Sequence, residues 1–292
     1  MSSVASFLRR VAPVVGMLAV AAVTSPAQSL AYIGGLQYAT GDFIFTQRTW
    51  STYFSNGLSW SAGRVRASAS IPLVMQPAGW LQYNGAGMMV PTGGIAGTAG
   101  SATSSSSAMG NGMHGGTMTP ASNMPFSQVG IGDPIGWIDV ALSQGDTERP
   151  LVSFVGAVKA PLADVGRGFG TGQWDVGAGL SGAVRLGGTS VLADALYWKI
   201  GNPAGASLRN AVAYALSIGR ALPGGSWSVL GTVSGASSLW VGLEAPMQAG
   251  MGVGYLLESG SSVFVTGAAG LTRTAPALST GLGWRVPLGK TR

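Results

Sequence analysis

The residue types that most often perform catalysis are scarce in this chain. It has no cysteine and one histidine, His114, and its ten carboxylates include no pair at a spacing diagnostic of acid–base chemistry. A Ser-His-Asp triad could use only His114, which lies in a Gly- and Ser-rich segment that would not hold a base beside a nucleophile. The sequence also lacks the nucleophile-elbow motif of hydrolases. We therefore expect no enzymatic activity.

Ligands for a soft metal are the most concentrated group of chemically distinctive side chains. Six of the eleven methionines lie within residues 88–124. The candidate ligands are Met109, Met113, His114 and Met118. Thioether sulfur combined with imidazole suits Cu(I), although no thiolate or second histidine reinforces such a site. The alternative is a flexible loop whose methionines are adaptable apolar side chains. No other cofactor is expected.

The composition indicates a membrane protein without transmembrane helices. Charged residues make up 9% of the chain, against roughly 25% in ordinary soluble domains. Beyond the first residues, no apolar run reaches the roughly 18 to 20 residues of a spanning helix. Arg9 and Arg10, the apolar stretch 11–24 and the small residues that follow predict a removed export signal over residues 1–27. The other basic residues are scattered singly, so nucleic acid is not an expected partner.

The strongest structural signal is a two-residue period of large and small side chains. Over residues 173–185, large apolar residues such as Val176 and Leu180 alternate with small ones such as Gly177 and Ser181. The same alternation recurs over residues 64–73, 210–218, 247–257 and 278–286. A soluble β-sandwich would carry charged residues on its outer face, and these are missing. The pattern is typical of strands that face lipid on one side and a lumen on the other.

This alternation predicts an all-β fold, a transmembrane antiparallel up-and-down β-barrel of about twelve strands. The strands are predicted near residues 36–46, 50–60, 64–76, 127–142, 149–162, 172–186, 190–200, 208–221, 226–237, 245–257, 262–271 and 276–288. Short glycine-containing turns join many of them as hairpins. An even strand count places both termini and these short turns in the periplasm.

Residues 77–126 interrupt the alternation. They are rich in Gly, Ser, Thr, Ala and Met and have no sustained period. The order of the turns places this segment on the extracellular side, as a long loop that is either exposed or enters the lumen. We therefore predict a single barrel domain over residues 28–292 that carries this loop.

The parity of the alternation assigns faces to charged and aromatic residues. The charged residues expected to face the lumen are Arg64, Arg66, Lys159, Asp175, Arg185 and Arg285. They could select solutes in a pore, or pair with one another across a filled interior. The aromatic residues expected in girdles at headgroup depth are Trp137, Trp174, Trp198, Trp227, Tyr255 and Trp284.

Short motifs in the middle of the chain resemble a known family. They are Gly130-Ile131-Gly132-Asp133, Lys159-Ala160-Pro161 and Gly168-Phe169-Gly170-Thr171-Gly172-Gln173-Trp174-Asp175. With the closing stretch 281–286, they resemble the outer-membrane family named for the meta pathway of phenol degradation, over roughly residues 50 to 288. The resemblance implies a transporter-like β-barrel associated with uptake of aromatic and other hydrophobic compounds. The residues that it assigns to the family-motif turn are Gly168, Gly170, Thr171, Gly172 and Asp175.

The chain departs from the family pattern in two places. Leu162-Ala163-Asp164 stands where the family usually shows a Thr-Gly-Asp turn, and the last predicted strand ends without a terminal aromatic residue. The second departure concerns the signal that the barrel-assembly machinery reads.

Two functional hypotheses follow from these observations. The leading one is a channel or transporter in the bacterial outer membrane for small molecules, including hydrophobic or aromatic ones. Its expected partners are outer-membrane lipid, the small-molecule solute and the barrel-assembly machinery, and its oligomeric state stays open. The alternative is a non-transporting surface or structural barrel whose Met-rich loop binds a partner or Cu(I).

The predicted topology can be tested by surface labelling. An epitope inserted near Ser104 should be labelled on intact cells, because the long loop is extracellular in this arrangement. An epitope at Gly224, in a short periplasmic turn, should be labelled only after the outer membrane is permeabilised. Labelling at Gly224 on intact cells would reverse the orientation.

Overall fold

The computed structural model describes residues 28–42, 48–76, 81–83, 89–91, 128–143, 150–202 and 208–289. The predicted export signal, residues 1–27, and most of the predicted long loop lie outside the described residues. Among the residues that are described, no helix is long and apolar enough to cross a membrane.

The described chain consists almost entirely of β-strands. They are β1 (Gln28–Gly41), β2 (Thr49–Ala62), β3 (Val65–Gln76), β4 (Leu81–Tyr83), β5 (Met89–Pro91), β6 (Gln128–Ile131), β7 (Ile135–Ala141), β8 (Leu151–Lys159), β9 (Asp175–Leu186), β10 (Thr189–Lys199), β11 (Ala211–Ala221), β12 (Trp227–Ala236), β13 (Met247–Leu256), β14 (Ser262–Gly270) and β15 (Leu278–Pro287). Neighbouring strands pair antiparallel, and β1 pairs with both β2 and β15, so the sheet closes on itself. The predicted antiparallel twelve-strand barrel is confirmed.

Two features of the wall differ from the predicted strands. The stretch predicted as one strand over 127–142 forms β6 and β7, which both pair with β3 and are separated by residues 132–134. Pro134 has no N–H to donate, so the ladder is interrupted here. The short strands β4 and β5 pair with each other and not with the described wall.

The first strand also begins earlier than the predicted span 36–46. It runs from Gln28 to Gly41, and Gly34 and Gly35 in its middle obscure the alternation in the sequence. Gly34 lies opposite Trp284 in register, and a Cβ at Gly34 would collide with the Trp284 ring. The glycine therefore makes room for an aromatic ring across the strands, a packing known to compensate glycine in sheets.

The two faces of the wall differ as the alternation predicts. In β9, Val176 and Leu180 are about half exposed on the outside, whereas Asp175 and Gly177 are buried on the inside. In β11, Leu216 is 58% exposed, and the alternate residues are small. Because the exposed face is apolar around a closed sheet, it suits a hydrocarbon solvent.

The two ends of the barrel differ in their connections. At one end, here called the turn end, the first residue of β1 pairs with Ala62, and two-residue turns contain Gly63 and Gly187. Both glycines have positive φ, +55° and +62°, which tight hairpin turns require. At the opposite end, here called the loop end, longer segments connect the strands, including residues 160–174 between β8 and β9.

Opposite effects of arginine on the two faces would test this assignment. Leu180→Arg places a charge on the apolar outer face and should cost about 2–4 kcal/mol of unfolding free energy near the bilayer midplane. Ser181→Arg, one residue further and facing inward, should be tolerated. Urea unfolding in lipid vesicles measures both, and equal destabilisation would mean that the faces are assigned wrongly.

Candidate functional site

Two neighbouring cavities lie inside the part of the barrel that the structure describes. The first has a volume of about 440 Å³ and is lined by inward-facing residues of β7 to β13 together with parts of β1 and β15. The second, about 460 Å³, lies against β1 to β3, β7, β14 and β15. Gln37 and Trp137 line both cavities, so the two spaces meet at these side chains. The volumes lie within the range of small-molecule sites.

Small residues on the inner face create much of the first cavity. Ala213, Ala215 and Ser234 line it, and each alternates in its strand with a residue that points outward. Leu196 and Val155 add an apolar surface. The cavity is therefore mostly apolar, with a few polar groups directed into it.

Two tryptophans form an aromatic pair at this cavity. The rings of Trp137 and Trp198 lie 5.7 Å apart at 83°, an edge-to-face arrangement. Trp198 is 1% exposed, and its ring lies over Gly177, where an added Cβ would be 2.7 Å from the ring. The prediction that these two residues belong to lipid girdles is therefore wrong. At the same depth, Tyr197 occupies the outward position and is 52% exposed.

Two carboxylates in the first cavity have no side-chain partner among the residues that the structure describes. Asp139 of β7 and Asp194 of β10 line the cavity and are half-buried. Among the described residues, neither forms an ion pair or a side-chain hydrogen bond. Sequence reasoning did not single out either residue. The available signal was an isolated carboxylate within an otherwise apolar stretch, residues 135–141 for Asp139 and residues 191–198 for Asp194.

A buried ion-pair network lies at the loop end of the barrel, around Lys159. The Lys159 Nζ donates to Asp133 Oδ2 at 2.8 Å and to Thr171 Oγ1 at 2.8 Å, and it lies 3.4 Å from Asp175 Oδ2. It also donates to the carbonyl of Gln173 at 3.2 Å. The charged side chains are at most 4% exposed, so solvent does not replace any of these contacts.

The two aspartates of this network also bind backbone N–H groups. Asp133 accepts from Ala163 N at 3.0 Å and from Thr171 N at 3.4 Å, and Asp175 accepts from Gly201 N at 2.9 Å. One cation and two carboxylates thus join the break between β6 and β7 to the segment 160–174. Because the carboxylates are paired and hydrogen-bonded, their burial is compensated.

The same segment enters the mouth of the barrel. Phe169 is 5% exposed and packs on Gly130, where an added Cβ would collide with its ring. Gly130 pairs with the inward-facing Val74, so the Phe169 ring lies on the lumen side of the wall. The buried Gln76 donates from Nε2 to the carbonyl of Gly168 at 3.0 Å. The loop between β8 and β9 therefore narrows the lumen.

The structure places the family-motif residues within this loop and at its end. Gly168 and Gly172 have positive φ, +76° and +68°, and Gly168 caps a short 3-10 turn. Gly170 lies against Asp133, because a Cβ there would be 2.7 Å from a carboxylate oxygen. Thr171 and Asp175 contact Lys159. The three motifs quoted from the sequence thus meet around one lysine.

The arginines predicted to face the lumen lie near the turn end. Arg66, Arg185 and Arg285 are in strands, at positions whose register neighbours include the inward-facing Ser61, Ser190 and Ser262. Arg64 lies in the two-residue turn between β2 and β3 and is exposed, so it does not belong to a strand of the wall. Their effect on solutes stays a prediction.

The predicted soft-metal ligands Met109, Met113, His114 and Met118 lie outside the described residues. Within the part of the chain that the structure describes, no three His, Cys, Asp or Glu residues form a group that could hold a metal ion. The Cu(I) site stays a prediction from the sequence.

Comparisons with known proteins identify the fold. No protein-family model matches the sequence, and no curated protein matches it significantly. An outer membrane channel from Pseudomonas putida F1 is similar in structure, with a TM-score of 0.58 over 91% of this chain and 97% of that chain at 10% identity. The beta domain of the Bordetella autotransporter BrkA matches at a TM-score of 0.45 and 15% identity, over 89% of this chain and 99% of that chain. The monoaromatic hydrocarbon channel CymD matches at a TM-score of 0.44 and 11% identity, over 92% of this chain and 90% of that chain. The match to the Pseudomonas putida channel shows that this chain has the fold of that outer-membrane β-barrel.

Removal of the buried cation should destabilise the barrel. Lys159→Met leaves Asp133 and Asp175 buried without a counter-charge, which should cost about 3–5 kcal/mol of unfolding free energy. Lys199→Met, on the exposed outer side of the same end, is the matched control and should have little effect. Urea unfolding in detergent micelles measures both variants. Equal midpoints for the two would show that the network does not stabilise the fold.

Proposed function

We propose that this chain is a channel of the bacterial outer membrane through which small molecules cross, hydrophobic or aromatic ones among them. The observation that carries the proposal is a closed wall, apolar outside, around a lumen whose two cavities are lined by polar as well as apolar groups. A structural barrel would gain no stability from unpartnered carboxylates in its interior. A conduit uses such groups to receive solutes.

The proposed location in the outer membrane follows from the closed wall and its apolar outer face. A closed barrel has no unpaired edge and can therefore lie in hydrocarbon. The exposed apolar residues would contact outer-membrane lipid, and the barrel-assembly machinery would insert the chain. We place the turn end in the periplasm and the loop end outside, as in bacterial barrels with short periplasmic turns.

The substrate range rests on two supports of different kinds. The motifs that meet at Lys159 resemble a family associated with uptake of aromatic and hydrophobic compounds, and the first cavity is lined by aromatic and aliphatic side chains. Because the inner charges lie near apolar surface, the lumen suits small amphipathic solutes better than strongly hydrated ions.

A substitution that fills the first cavity should close the channel. Ala215→Trp projects an indole into the lumen and should lower single-channel conductance in planar bilayers several-fold. The adjacent Leu216→Trp places the same ring on the outer face and should leave conductance unchanged. The proposal fails if the wild-type protein neither conducts nor accelerates solute entry into liposomes. Equal conductance in the two variants would show that solutes bypass this cavity.

A further inference from the structure

Charge is distributed unevenly along the described lumen. Arg66, Arg185 and Arg285 lie near the turn end, whereas the first cavity presents the carboxylates Asp139 and Asp194. Arg66 is the register neighbour of Asp139, but its side chain is exposed and no ion pair joins the two. Lys159 lines the second cavity and is already bound to two aspartates. Among the described residues that line the first cavity, the only charged side chains are Asp139 and Asp194.

Half-buried carboxylates without a partner attract cations more strongly than exposed ones. Water screens their charge incompletely, because protein surrounds part of each side chain. The same field repels anionic solutes, because an anion that enters this cavity approaches two carboxylates of its own sign. The two carboxylates by themselves therefore favour cationic ligands over anionic ones.

The remaining lining indicates that the cation is organic rather than a metal ion. Asp139 and Asp194 are on strands separated by β8 and β9, which corresponds to about 14 Å along the wall. A bare metal ion could not bind both, and the neighbouring Val155, Leu196 and Ala213 offer no side-chain oxygen ligands. These side chains instead provide apolar contacts for a hydrocarbon body.

An aromatic face completes the set of contacts. Trp137 is half-buried and lines the cavity beside Asp139, which lies two residues further on the same face of β7. The ring of Trp198 packs edge-to-face against the ring of Trp137. The indole face is the strongest aromatic partner for a cation. Carboxylate, indole and apolar wall therefore lie within one cavity of about 440 Å³.

We infer that the first cavity binds organic cations with an apolar body, namely aromatic amines and quaternary ammonium ions, and that the channel selects this solute class. The inference rests on the proposed function, because it names the substrate class of the same lumen. The ammonium group lies at Asp139 or Asp194, and the apolar body packs against Trp137 and the aliphatic wall.

The test measures equilibrium binding to the full-length protein in detergent micelles, without a membrane. The probe is benzyltrimethylammonium, compared with benzenesulfonate and benzyl alcohol of similar size. The cation should bind more tightly than either comparator. The double variant Asp139→Asn/Asp194→Asn should bind it at least roughly tenfold more weakly, because the Coulomb attraction is lost.

Further variants distinguish the contribution of the carboxylates from that of the aromatic contact, and a folding assay excludes misfolding as the cause of weaker binding. Trp137→Leu should weaken binding of the cation roughly fivefold, because it removes the cation–π contact and keeps the carboxylates. Asp42→Asn removes a carboxylate that is 60% exposed at the loop end and should leave binding unchanged. Heat-modifiable migration in gels confirms that each variant is folded, and the two aspartates are also replaced singly in case the double variant is not.

The outcomes distinguish this inference from the proposed function. Selective cation binding that the aspartate variants lose supports the inference, even if planar bilayers show no conductance and the channel proposal fails. Equal binding of benzenesulfonate and benzyltrimethylammonium, or unchanged cation affinity in the folded double variant, overturns it. A protein that conducts but does not bind the cation remains a channel without this specificity.

Discussion

The ladder between β1 and β15 is the interaction on which the rest of the structure depends. Its register runs from Ala31 opposite Pro287 to Thr40 opposite Leu278, and it joins the first and last strands of the wall. This ladder leaves the first and last strands of the wall without an open edge, so the outer face can be apolar and lie in hydrocarbon. Closure also creates an interior, and every inward position becomes part of either a packed core or a passage.

The size of the inward side chains determines how much of that interior stays open. Small inward residues such as Ala213 and Ala215 leave space in the first cavity, and the ring of Trp198 enters it where Gly177 lies opposite. At the loop end, the segment 160–174 fills part of the mouth. It is held there by buried charges, which need several partners to offset the loss of hydration. Lys159 has such partners from both strand ends and loop backbone.

Most of the wall could be predicted from the sequence, because a strand between lipid and lumen must alternate its side chains. The predictions were wrong where local identity concealed the pattern, at Gly34 and Gly35 in β1 and at Pro134 between β6 and β7. The prediction that Trp137 and Trp198 face lipid was wrong, because their strands carry large apolar residues on both faces, and Trp198 lies on the same inward face as Asp194. The lumen entry of segment 160–174 could not be predicted, since it depends on contacts such as Lys159 with Asp133, 26 residues apart, which no local period encodes.

The arrangement of charge limits how firmly a solute can be held. A channel conducts only if its sites bind strongly enough to admit a solute and weakly enough to release it. Asp139 and Asp194 line the first cavity, whereas Arg185 and Arg285 lie toward the turn end and do not line it. A cation that leaves the carboxylates in that direction meets repulsion, and an anion that enters from it meets attraction first and repulsion afterwards. In the proposed channel the carboxylates favour cationic solutes, and the apolar contacts of Val155, Leu196 and Trp137 hold the body of the solute whatever its charge.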